Sequence, residues 1–333
     1  MKYFINLQLF AEANTNVTTD SGLSVEMKTY YDMALLDEAG ANLIHDQFGQ
    51  KRPIPQGSGK TIEFRKFTSL EKATTPITEG VTPNGKKLEA TNVTATVDQY
   101  GDYVTMSDML DLTAIDNVIL EATKLIGRQA GLTLDTVVRN KINAGTNVSY
   151  CPKLGADGAE TAVTTRAGLD TTCALTVKAI QKAVAKLRGQ NAPSINGKYV
   201  GIIHPYVAYA LMRDPEWIDA HKYANPTNLY EGEIGEIAGV RFVESTEAKI
   251  WKEGSNAVFS TLVLGADAYG VTEVTGGGLQ TIIKQKGSAG SADPLDQRST
   301  VGWKAVKTAE ILMDEYMVRI ESCVADFNTT PAN

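Results

Sequence analysis

The stretch PQGSGKTIEF, residues 55–64, contains the one spacing in this chain that suggests nucleotide chemistry. In a phosphate-binding loop, a glycine sits five positions before the Gly-Lys-Thr end, so that the chain curls and successive amides face one phosphate. Here Ile54 stands at that position between Pro53 and Pro55, which fix φ and remove two amide donors. Such a loop must also open a helix. TIEFRKF instead alternates, with Ile62 and Phe64 on one side and Glu63 and Arg65 on the other, the period of a strand. The segment reads as a Gly-Ser turn entering a strand, with Lys60 a solvated or interface lysine, and an NTP-binding enzyme is the weakest of the alternatives.

The remaining chemical candidates are sparse. His45, His204 and His221 lack the i, i+4 spacing of a helical metal pair. His204 precedes Pro205 and reads as structural. Asp214, Glu216, Asp219 and His221 could form an acid/base cluster, but the polar environment of Trp217 is the simpler reading. Gly276-Gly277-Gly278 is not GxGxxG and reads as a hairpin turn. No serine stands in a G-x-S-x-G elbow. Cys151, Cys173 and Cys323 are too scattered for a disulfide framework or a metal site. The expectation is a protein with no catalytic residue, no cofactor and no metal.

Composition agrees. The 333 residues are 43% hydrophobic and 21% charged, with a net charge of −7, so nothing draws the chain onto nucleic acid or an anionic membrane. Between residues 56 and 98, six basic side chains face five acidic ones. No apolar run approaches the ~18 residues of a membrane span.

Three elements point outward. Residues 1–20 run from an apolar tip (Tyr3, Phe4, Leu7, Leu9, Phe10) to a polar tether, which must dock on something to bury itself. Residues 25–45 carry a helical pattern, broken at Gly40. Two alternating runs, residues 61–67 and 92–106, enclose a polar middle with Pro76, Gly80, Pro83 and Gly85, the pattern of a long two-stranded projection. Such a ribbon is marginal alone and needs support from outside the chain. Next, Thr113 and Asp116 open a helix that runs to Ala144-Gly145, ~45 Å at 1.5 Å per residue, with Gly127 and Gly131 as bends. Beyond it, Thr176 opens a helix with Val177, Ile180, Val184 and Leu187 on one face, closed by Gly189. Strands are expected at 198–205, 239–243, 258–264, 269–274, 279–284, 301–309 and 315–325. Helices and strands mix without βαβ regularity, which gives an α+β class.

This order resembles the major capsid proteins of tailed bacteriophages, the Hong Kong 97-like fold. NLQLFAE (6–12) resembles the opening of phage capsid proteins in general, and MKTYYDMALLDEAGANLIHDQFG (27–49) and DPLDQRSTVGWKA (293–305) are similar to the podovirus N-four-like branch. The resemblance implies an N-terminal arm (1–50), an extended loop (53–107), a peripheral domain with the spine helix (108–170 with 293–333) and an axial domain (171–292). It implies hexamers and pentamers in an icosahedral shell in the virion, assembled in the bacterial cytoplasm around double-stranded DNA without sequence-specific binding or membrane contact. Tyr3, Phe4, Leu7, Leu9 and Phe10 of the arm, and Ile62, Phe64, Phe67, Lys72, Ile77, Lys86 and Lys87 of the loop, would meet neighbouring copies. Scaffolding would be a separate protein, with a portal and a decoration protein as further partners. No crosslinks are expected through Lys60, Lys72, Lys86 or Lys87. An encapsulin-like compartment shell shares the fold and is the structural alternative, against which the phage-like opening and the long arm argue.

Overall fold

In the computed structural model, residues 35, 38–40, 42–53, 60–67, 70, 72–77, 79–82, 84–113, 118–155, 157–224, 235–273, 279–287 and 293–333 are described. Leu35, Glu38, Ala39, Gly40 and Asn42 are the described residues of helix α1, which therefore continues through Gly40. After α1 come β1 (Gln50–Arg52), β2 (Thr61–Phe67), β3 (Ala90–Thr96) and β4 (Asp98–Ser107). The strands β2 and β3 form the antiparallel ribbon, in register from Thr61↔Thr96 to Phe67↔Ala90. The single strand expected over 92–106 is split at Val97, whose N–H donates to Lys60 O at 2.8 Å. Before this residue the chain pairs within the ribbon, and after it β4 pairs with β15 (Arg298–Lys307). Alternation specifies a strand and its faces but not its partner, so the change of sheet left no mark in the pattern.

Two helices follow, α2 (Asp108–Thr113) and the spine α3 (Val118–Ile142). The 25 residues of α3 span about 37 Å. Gly127 and Gly131 lie inside α3 and are not breaks. They are where α1 crosses: a Cβ at Gly131 would stand 2.5 Å from Ala39 O, and one at Gly127 3.1 Å from Leu35 O. Leu35, Ala39 and Leu43 pack there with Ala122, Ile126, Ala130 and Leu134 of α3. Alanine in place of glycine gains about 1 kcal/mol of helix propensity, whereas overpacking against backbone costs about 1–3 kcal/mol. Gly131→Ala is therefore expected to destabilise the subunit by about 1–2 kcal/mol and Gly127→Ala to be nearly neutral. Urea denaturation of the two variants checks the order.

The rest of the chain comprises β5 (Val148–Tyr150), the small hairpin β6 (Lys153–Leu154) and β7 (Glu160–Thr161), α4 (Val177–Gly189), β8 (Tyr199–Ile203), α5 (Pro205–Met212) and α6 (Pro215–Ala224). Then come β9 (Glu236–Ile237), β10 (Val240–Glu244), β11 (Ile250–Glu253), β12 (Asn256–Leu264), β13 (Tyr269–Thr272), β14 (Leu279–Lys284), β16 (Ala309–Ile311) and β17 (Met317–Cys323). The class is α+β. The largest sheet runs β5-β17-β12-β8-β10-β9, with β11 added to β12. Its core takes the apolar face of α4 (Val177, Ile180, Val184, Leu187) together with Leu211, Trp217, Phe259 and Ile320. A sheet ordered β14-β15-β4 covers α3 through Leu279, Val301, Trp303, Ala305 and Met106. A third, β1-β13-β16, lies beside the base of the ribbon.

These pairings cut across the segment boundaries expected from sequence. The strands β5 and β17 join the large sheet, β14 joins the spine sheet, and β4 leaves the ribbon for the spine sheet.

Candidate assembly surface

The residues that could have carried chemistry are dispersed. Lys60 is exposed and leads into β2 instead of a helix, and residues 54–59 lie outside the described residues. The expected hairpin at Gly276-Gly277-Gly278 is overturned by its flanks: β13 and β14 belong to different sheets. The glycines themselves lie outside the described residues. His204 caps α5, its Nδ1 accepting from Tyr206 N–H at 3.1 Å, and burial holds its pKa down at about 4. Asp214 caps two helices, accepting from Val177 N–H at 2.9 Å and Glu216 N–H at 3.1 Å. Trp217 beside it is core. Cys151, Cys173 and Cys323 are buried free thiols of the same core, and burial raises the Cys323 thiol to about 12, far from reactive. Among the described residues no three His, Cys, Asp or Glu side chains could hold a metal ion.

The distinctive surface is apolar and outward. On the described part of the loop between β2 and β3, Leu70, Ile77, Val81 and Leu88 are 59–75% exposed, and Lys72, Lys86 and Lys87 are exposed beside them. The second exposed face belongs to the β14-β15-β4 sheet. Register places Tyr103 opposite Gly302 and Gly302 opposite Ile282, on the side away from α3. Tyr103 and Ile282 are exposed there with Lys284, Lys304 and Arg298, and none of the strand positions on this side is a carboxylate. A large exposed apolar patch is the usual signature of a protein-binding surface.

Two of the expected contact residues are corrected. Ile62 and Phe64 are buried within their own subunit, with Ala95 and Leu312, and Phe64 lies over Gly270. They anchor the base of the ribbon and are not free to meet a neighbour. Phe67 ends β2. Tyr3, Phe4, Leu7, Leu9 and Phe10 lie outside the described residues.

Sequence reasoning missed the buried ionic contacts that hold these surfaces in place. At the exit of α1, Asp135 accepts from His45 N–H at 2.7 Å and pairs with His45 Nδ1 at 2.6 Å. Asp46 pairs with Lys307, which also donates to Thr272 O at 2.7 Å. In the large sheet, Glu321 accepts from Arg166 at 2.6 and 2.7 Å and from Arg319 at 2.9 Å. Of these four carboxylate–partner pairs only Arg319–Glu321 is local; the other three join residues remote in sequence, so no local spacing announced them.

A family model described as "Phage capsid protein" matches residues 90–317. No curated protein matches the chain. Among solved structures, the chain is similar to the capsid of Ralstonia phage GP4, with a TM-score of 0.65 and 15% identity over 86% of this chain and 90% of that one. The capsid of cyanophage P-SCSP1u gives a TM-score of 0.63 and 16% identity over 84% and 87%. The head of Helicobacter pylori bacteriophage KHP40 gives 0.61 and 15% over 82% and 87%. At these identities the likeness establishes the fold, which is the Hong Kong 97-like one.

Proposed function

Because this chain belongs to the phage capsid protein family, and so is a structural component of the virion, we propose that the loop carrying Ile77 and the Tyr103 face of the spine sheet are its lattice contacts. The chain is the major capsid protein of a tailed phage, and its copies assemble into a shell. The spine α3 with the β14-β15-β4 sheet would form the peripheral unit, and the large sheet with α4, α5 and α6 the axial unit at the centres of hexamers and pentamers. A separate scaffolding protein, a portal and a decoration protein are proposed as further partners on the likeness to tailed-phage capsids alone.

The observation that carries the proposal is the contrast along one hairpin. Its base is sealed by Ile62 and Phe64 in the subunit's own core, while Leu70, Ile77, Val81 and Leu88 further out are exposed. Four such side chains, covered by another copy, contribute about 1.5–3 kcal/mol each. Repeated head to tail, that contact closes into rings. The net charge of −7 fits a container whose wall must release its DNA.

Replacing residues 70–89 by a short Gly-Ser turn between β2 and β3 tests this. The subunit is expected to keep its thermal midpoint, since Ile62 and Phe64 remain seated, and to lose shell formation in sedimentation and electron microscopy. Normal shells from the shortened chain would overturn the role given to the loop.

A further inference from the structure

The chain contains two Asn-Gly pairs, Asn84-Gly85 and Asn196-Gly197, and the structure holds them differently. Asn196 and Gly197 form a two-residue hairpin turn with φ of 52° and 83°. Ile195 and Lys198 exchange both cross-turn hydrogen bonds, at 2.8 and 3.1 Å. This is the left-handed two-residue turn for which Asn-Gly is favoured. Asn84 and Gly85, by contrast, lie on the exposed loop, outside any helix or strand. The space beside Gly85 is open, with nothing within 4 Å of where a Cβ would stand.

We propose that Asn84 is a self-modifying site, converting spontaneously to aspartate and isoaspartate, while Asn196 is protected by its turn. The Gly85 amide nitrogen loses its proton and attacks Asn84 Cγ. A Cγ–N bond forms, the Cγ–Nδ2 bond breaks, and Nδ2 takes a proton from water, replacing the one Gly85 gave up, and leaves as ammonia. Water then opens the five-membered imide at either carbonyl. No oxidant or further reactant is needed. Glycine matters because it puts no Cβ beside the attacking nitrogen and leaves the backbone free to reach the closing geometry.

At Asn196 that geometry requires breaking both cross-turn bonds. Asn196 is therefore expected to convert about 30-fold more slowly than Asn84, equivalent to about 2 kcal/mol of barrier. The product adds one negative charge to a chain of net charge −7, two residues from Lys86. This chemistry needs only the single subunit and no assembled shell.

The test is incubation of the full-length, unassembled subunit at mildly alkaline pH, with peptide mass spectrometry over time and isoelectric focusing. The expected result is steady loss of Asn84, growth of one more acidic species, an intact Asn196, and slowing of at least about tenfold in Gly85→Ala, or about 1.4 kcal/mol. Conversion of Asn196 as fast as Asn84 would overturn the proposal. So would an unchanged Asn84 in a buffer where a free peptide of residues 79–90 converts.

Discussion

Glu321→Ala is expected to destabilise the subunit by about 3–5 kcal/mol, the cost of leaving buried charge without its partner. Glu321 is fully buried on β17 and is the shared acceptor of two guanidinium groups. Arg166 lies 3.9 Å above the Trp251 ring, and Arg319 lies 5.3 Å from the same ring. Hydrogen bonding to Glu321 outweighs burial and raises the Arg166 pKa. With the carboxylate gone, Arg319 keeps only the carbonyls of Asn143 and Gly145, and Arg166 loses its anchor. The cost is asymmetric. Arg166 is 28% exposed, and removing it leaves Arg319 to neutralise Glu321. Arg166→Ala should therefore cost well under half as much as Glu321→Ala. Denaturant unfolding measures both, and a Glu321→Ala loss below about 1 kcal/mol would contradict the account. Hydrogen exchange should also show early opening of β5 and of residues 153–172, because Arg166 ties that segment to β17.

How far the sequence carried this molecule depends on the range of the signal. Helix α4 was legible because its signals are local. Thr176 accepts from Ala179 N–H at 3.3 Å, and four apolar residues at three- and four-residue steps face the core. The helix ends at Gly189, as its sequence predicts, although the left-handed residue after it is Asn191, φ 56°. GSGKT departs from a phosphate loop at Ile54 and in the strand pattern TIEFRKF, all within ten positions of it, and β2 follows it as a strand. Partnership, however, is non-local. Alternation marks the face that Phe64 shares with Ile62, but nothing near Phe64 indicates that Leu312 and Gly270 cover it, so the contact role implied by the resemblance has no local signal against it. Gly127 and Gly131 carry the same lesson. A glycine in a helix marks either a bend or a close neighbour, and only the position of α1 distinguishes them. Three-residue strands such as β1 and β16 are too short for period two to register.

The second large effect is expected at the point where α1 gives way to β1. Asp46→Ala should cost about 3–5 kcal/mol because it leaves the Lys307 ammonium buried with only Thr272 O as acceptor. Burial already lowers the Lys307 pKa even though Asp46 opposes the shift. The sign of the pH dependence follows. With a depressed folded pKa, the unfolded chain binds the proton more tightly, so this lysine costs stability at neutral pH. That cost fades as pH rises from the depressed value toward the ordinary ~10.4. Removing Asp46 lowers the folded pKa further, so the Asp46→Ala deficit is expected to be largest near neutrality and to shrink on raising the pH. The double variant Asp46→Ala/Lys307→Met buries no charge and should recover most of the loss, since an apolar pair is often as stable as a buried ionic one. A double variant as unstable as Asp46→Ala, or a deficit that grows with pH, would show that Lys307 is not the source. Residues 45 and 46 are held by Asp135 of the spine and Lys307 of β15, so they fix where the N-terminal segment meets the body. For that reason, shells of Asp46→Ala, if assembled below its melting temperature, should be more heterogeneous than those of the double variant.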